Sequence, residues 1–90
     1  MIYIIKADCF VKIGYSTNVA RRFKELQSAN PYLLEFIGSI PGDLQLERMI
    51  HNKFSAYRCE GGSEWYRIGP KMSDFIKTMH KNGLLKLLQN

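Results

Sequence analysis

The sequence predicts an α+β fold, a small mixed β-sheet flanked by helices in the order β-β-α-β-α-β-α. Three observations predict it. Short β-branched and aromatic runs occur at Ile2-Tyr3-Ile4-Ile5, at Phe10-Val11-Lys12-Ile13 and from Leu34 to Ile40, as half-buried strands require. Apolar residues elsewhere recur at helical spacing. Glycine, proline and asparagine punctuate the boundaries between these segments. Ninety residues make one domain, 1–90. At that size the core is small, so most apolar residues on periodic faces are needed for folding.

Residues 2–6 form the first strand, Lys6-Ala7-Asp8-Cys9 a turn, and Phe10-Val11-Lys12-Ile13 the second strand of a hairpin. Gly14 ends the hairpin, and the expectation is a backbone with φ > 0 there. Ser16, Thr17 and Asn18 are all candidate N-caps, Asn18 standing nearest the periodic stretch. Val19, Phe23 and Leu26 then give a one-sided helix to about Ser28, which Asn30-Pro31 breaks. Leu34 to Ile40 carries apolar residues on both alternating faces, which suits a central strand buried on two sides. Pro41-Gly42-Asp43 is a turn, with Asp43 placed to cap a helix that presents Leu46, Ile50, Phe54 and Tyr57 on one face. Cys59-Glu60-Gly61-Gly62-Ser63 reads as a loop and Glu64 to Ile68 as a short strand. Pro70 suits the first position of a third helix with Met72, Phe75, Ile76 and Met79 as its buried stripe, and Gly83 suits its end. Leu84 to Leu88 extends this helix by a last turn.

The formal net charge of +5 is compatible with a polyanionic partner, because basic side chains displace condensed counterions from nucleic acid. It equally fits a mildly basic surface, and the basic residues form no separate tail. Cys9 and Cys59 match no zinc motif and are too few for a disulfide framework. No apolar run approaches the roughly 20 residues that span a bilayer. The first residues lack the basic region and cleavage site of a signal peptide. The expectation is a cytoplasmic protein with no membrane partner. Leu84, Leu85, Leu87 and Leu88 surround one lysine; they are expected either to dock on the domain's own core or to make a homodimer contact.

Helix geometry singles out one arginine. With Val19, Phe23 and Leu26 defining the core direction, Arg22 lies about 60° from that stripe and Arg21 nearly opposite it. A guanidinium on a packed stem at such a border can face a cleft. Glu47 and His51, spaced i, i+4, share a helix face beside Ile50 and Phe54. A carboxylate and an imidazole so placed can bind a metal or orient a water; a surface pair is the plainer reading. Trp65 is expected to pack, with base stacking as the alternative. Glu64 reads as a loop carboxylate or a second acid near a cleft. His80 reads as surface, and Tyr32 and Tyr57 as packing residues.

Taken in order, Ile2-Tyr3-Ile4, Lys12-Ile13-Gly14, the helix with Arg22 and the helix with Glu47 resemble the GIY-YIG nuclease superfamily. The resemblance is closest to a small phage and bacterial subfamily with Lys-Ile-Gly in place of Tyr-Ile-Gly, also similar at Leu46-Glu47, His51, Phe54 and Gly62-Ser63-Glu64-Trp65-Tyr66. It runs over roughly residues 1–76. It implies a metal-dependent endonuclease acting on DNA. Glu47 would hold Mg²⁺ or Mn²⁺, Arg22 would face the phosphate, and Tyr3 would position or deprotonate the attacking water. The sequence departs from the pattern where Met1 precedes Ile2-Tyr3 and where Lys12 stands for a tyrosine. Lys12 offers an ammonium for phosphate, and Tyr15 a neighbouring hydroxyl. His51 completes the candidate catalytic set. The alternative is a catalytically weak or inactive relative that binds nucleic acid or protein.

Overall fold

The computed structural model describes residues 1–59 and 64–87. Strands β1 (Ile2–Ala7) and β2 (Phe10–Tyr15) pair in register from Ile2↔Tyr15 to Ala7↔Phe10. The two residues left between them turn tightly. Asp8 takes φ 55°, a left-handed conformation that aspartate tolerates better than most residues. Helix α1 (Val19–Ser28) starts at Asn18, whose side chain accepts from the Arg21 N–H. Strand β3 (Glu35–Ile40) follows. Helix α2 (Leu44–Lys53) is capped by Asp43, which accepts from the Leu46 N–H. A single 3₁₀ turn over Ser55–Tyr57 carries the chain on from α2. Strand β4 (Trp65–Arg67) leads to helix α3 (Pro70–Lys81), with Pro70 at its start. Gly83 sits at φ 73° just past its end, where glycine meets no steric cost.

The result is the expected α+β class and element order: a four-stranded antiparallel sheet, β3-β1-β2-β4, with three helices. One detail differs from the mixed sheet anticipated. All three strand pairings are antiparallel. The β2-α1-β3 crossover does return β3 in the direction of β2. However, β1 lies between them, so no parallel pair forms.

Each face of the sheet has its own core. On one, Val19, Phe23 and Leu26 of α1 meet Tyr3, Ile5, Leu34 and Trp65. On the other, Ile50 and Phe54 beside α2 and the Met72, Phe75, Ile76 and Met79 stripe of α3 cover Ile2, Ile4, Val11, Ile13 and Ile40. The strict alternation of β1 and β2 between these layers fixes the register, since a slip by one residue would exchange the layers.

Three local expectations are corrected. First, β3 is not central; it lies outside β1, and Lys86 adds an isolated antiparallel bridge to Ser39 on its far side. Its apolar pattern arises because a register shift between Ile4 and Ile5 puts Phe36 and Ile40, which plain alternation would leave on one face, into opposite cores. Second, Gly14 does not have a positive φ. It stands opposite Tyr3, and a Cβ there would run into the Tyr3 phenol. Third, Tyr32 does not pack: it is 74% exposed, beside Leu33 at 88%.

The leucine-rich tail is not a helical turn over its described part. The backbone of Lys86 exchanges hydrogen bonds of 2.7 and 2.8 Å with Ser39. Leu85 packs on the core and closely approaches Gly38, whereas Leu84 and Leu87 are exposed. Leu88 lies outside the described residues. Leu85→Ser should therefore lower stability by about 1–2 kcal/mol, the cost of losing a half-buried leucine. Leu87→Ser should leave the melting temperature unchanged. Thermal denaturation of the two variants side by side checks this, and equal effects would contradict it. No helix among the described residues is long and apolar enough to cross a membrane.

Candidate metal and nucleic-acid site

The site lies where β2 outruns its partner. Strand β4 pairs only with Phe10, Val11 and Lys12 of β2. One step further, the Ile13 N–H donates to the Glu64 carbonyl at 3.2 Å. The Ile13 carbonyl is then met by a side chain: His51 Nε2 lies 2.9 Å away. A carbonyl only accepts, so Nε2 carries the proton. In the neutral ring this leaves Nδ1 as the lone pair. His51 thus reaches from α2 around the edge of β2, and Glu47 stands one helical turn before it.

Glu64, immediately before β4, joins them. Glu47, His51 and Glu64 each offer a donor atom, and these lie within 4.8 Å of one another; all three residues are half-buried. Glu64 also faces the other layer. Its Oε2 accepts from Lys12 Nζ at 2.8 Å. Lys12 is only 7% exposed, and its ammonium lies 5.6 Å from the centre of the Trp65 ring. A buried ammonium persists only when paired, so the Lys12–Glu64 contact fixes the carboxylate as firmly as it holds the lysine.

Tyr3 and Arg22 complete the α1 side. Burial raises the pKa of the Tyr3 phenol above its ordinary value, and the nearby Arg22 guanidinium only partly opposes this. The charges of Glu64 and Glu47 push in the same direction as burial. The phenol therefore stays protonated at neutral pH. Arg22 is held further toward its cationic form, chiefly by its contact with Tyr3. As the helix geometry required, Arg22 is half-buried at the edge of α1 and Arg21 is exposed.

Tyr3, Lys12 and Arg22 thus stand on the α1 side, while Glu47 and His51 come round the strand edge from the α2 side. Glu64 links the two groups. Tyr15 does not join Tyr3: it packs against the opposite core layer, because residues 13 and 15 alternate away from 12 and 14. Sequence reading left Glu64 as either a loop carboxylate or a second acid near a cleft. The signal that finds it is register, because antiparallel pairing of Trp65 with Lys12 puts Glu64 beside Ile13. Sequence reading also passed over Tyr66. It is fully buried, with its ring edge-to-face on His51 at 5.4 Å and Arg58 above it. Its hydroxyl has no hydrogen-bond partner among the described residues.

The family model that matches this chain is the T5orf172 domain, over residues 1–80. That finding corrects the GIY-YIG assignment drawn from short motifs. An isoleucine-glycine strand end, a helix with arginine and a helix with glutamate are each too brief to separate one family from another. The match, by contrast, spans nearly all of the chain. No curated protein and no solved structure matches the chain significantly. The T5orf172 domain is a nuclease-like, DNA-binding family. With residues 1–80 of ninety matched, the chain belongs to the T5orf172 domain family.

Proposed function

We propose that the domain binds DNA and cleaves its phosphodiester backbone with one Mg²⁺ or Mn²⁺ held at Glu47. The observation that carries this reading is the meeting, at one end of β2, of an arginine, a lysine, two carboxylates and an oriented imidazole. Arg22 faces the scissile phosphate and stabilises the charge that builds on its oxygens in the transition state. Lys12 adds a second cation beside the same phosphate. Tyr3 is too firmly protonated to take a proton from water. It instead fixes the guanidinium of Arg22 and offers its O–H as a donor. His51, held by the Ile13 carbonyl, turns its one lone pair on Nδ1 toward a water or the ion. A bound divalent ion would polarise the phosphoryl oxygen and stabilise the leaving oxygen. The attack of water breaks one P–O bond and leaves a phosphate monoester and a hydroxyl.

The test is incubation with supercoiled, linear, branched and single-stranded DNA, with Mg²⁺ or Mn²⁺ and with EDTA. Metal-dependent strand breaks are expected. Arg22→Ala should slow them by roughly 10²–10³-fold, the scale of one lost transition-state donor, and Arg21→Ala should do little. Equal effects of the two substitutions would contradict the assigned geometry.

A second reading has one specific observation in its favour. The Lys12–Glu64 ion pair occupies a lysine and a carboxylate that catalysis would use. A domain that binds DNA without cutting it would retard DNA in a gel, lose affinity steeply with salt and show no breaks with either metal.

A further inference from the structure

Two carboxylates within 4.8 Å of each other repel unless a cation lies between or beside them. Lys12 supplies one positive charge, and it does so on Oε2 of Glu64 alone. Glu47 has no ion-pair partner among the described residues. The imidazole in the same cluster is arranged as metal-binding histidines are: its far N–H is spent on a backbone carbonyl, which fixes the tautomer and ring orientation. The fully buried Tyr66 ring packs edge-to-face on His51 at 5.4 Å and helps to hold the imidazole plane within the cluster.

We propose that Glu47, Nδ1 of His51 and Glu64 bind one divalent ion together, and that the imidazole makes the site prefer Mn²⁺ to Mg²⁺. The inference rests on the metal-dependent reading above and extends it from one ligand to three. Mg²⁺ favours oxygen donors and keeps much of its water. First-row transition ions accept imidazole nitrogen readily. A site of two carboxylates and one imidazole therefore discriminates between the two ions where a lone glutamate would not. Glu64 can hold Lys12 through one oxygen and the ion through the other.

The test is binding of Mn²⁺ alone and Mg²⁺ alone to the whole chain, by calorimetry, with electron spin-echo spectra of the Mn²⁺ form. One Mn²⁺ per chain is expected, bound more tightly than Mg²⁺, with nitrogen modulation from His51. Glu64→Gln and His51→Gln should each weaken Mn²⁺ by about tenfold or more, on the scale of metal-site losses. His51→Gln should also abolish the nitrogen modulation and narrow the preference for Mn²⁺. Glu64→Gln keeps an oxygen for Lys12; should it still unfold, the His51 variant and the nitrogen signal decide. If Glu47→Gln weakens binding while His51→Gln and Glu64→Gln bind as wild type, the three-ligand centre is overturned and the nuclease reading stands. Absence of Mn²⁺ binding to wild type overturns the centre outright, and DNA cleavage then judges the nuclease reading separately.

Discussion

Glu47→Ala is expected to abolish metal-dependent DNA cleavage, lowering the rate by at least about 10³-fold, the upper end of the cost of one lost transition-state donor. The fold should survive. Glu47 is half-buried on α2 and belongs to neither core layer. Its one structural contribution is a negative charge in the first turn of α2, which is worth about 0.3–1 kcal/mol at a helix N-terminus. Melting should therefore shift by only a few degrees. Circular dichroism and a cleavage time course on the same preparation check both halves. A variant that cuts at the wild-type rate would remove Glu47 from the site, and one that unfolds would make it structural.

Gly14→Ala should be strongly destabilising. A methyl at Gly14 would overlap the Tyr3 phenol, which is itself fully enclosed. Neither residue can yield easily, since Tyr3 and Gly14 face each other in the central strand pair. Overpacking of this kind costs about 2–3 kcal/mol, a fall in melting temperature of about 10–20 °C for a domain this small. The cause is testable by a double-mutant cycle. Tyr3→Leu removes the obstructing ring, so Gly14→Ala should be milder in that background by at least about 1 kcal/mol. Strictly additive effects would show that the glycine serves some other purpose. The position also links fold to site, because the ring that Gly14 admits is the one that braces Arg22.

Much of the architecture was legible because local signals agreed. Asn18 and Asp43 cap α1 and α2 as their side chains suggest, Pro70 opens α3, and Gly83 follows its end. The place of Arg22 at a helix border followed from 100° per residue alone. What failed needed long-range knowledge. The edge position of β3 depends on β1 coming between it and β2, which no local pattern encodes. Gly14 looked like a turn residue because a glycine after a strand usually is one, whereas its partner across the sheet is what requires it. Glu64 stayed undecided between a loop carboxylate and a second acid near a cleft because its place depends on the pairing of β4 with β2, fifty-two positions away in the case of Lys12. Tyr66 escaped because its contact with His51 is visible only once its neighbours are placed. The family itself was read too closely from a few short motifs, and the match over residues 1–80 decided it.

The central claim is that the residues gathered at the end of β2 form a metal-dependent centre that breaks DNA. Nicking of supercoiled plasmid tests it most directly, with wild type and Glu47→Ala compared in Mn²⁺ and in EDTA. The account predicts open-circular product only for wild type with Mn²⁺. Nicking that persists in EDTA or in the Glu47 variant would contradict it, as would wild type that retards the plasmid in a gel yet never cuts it.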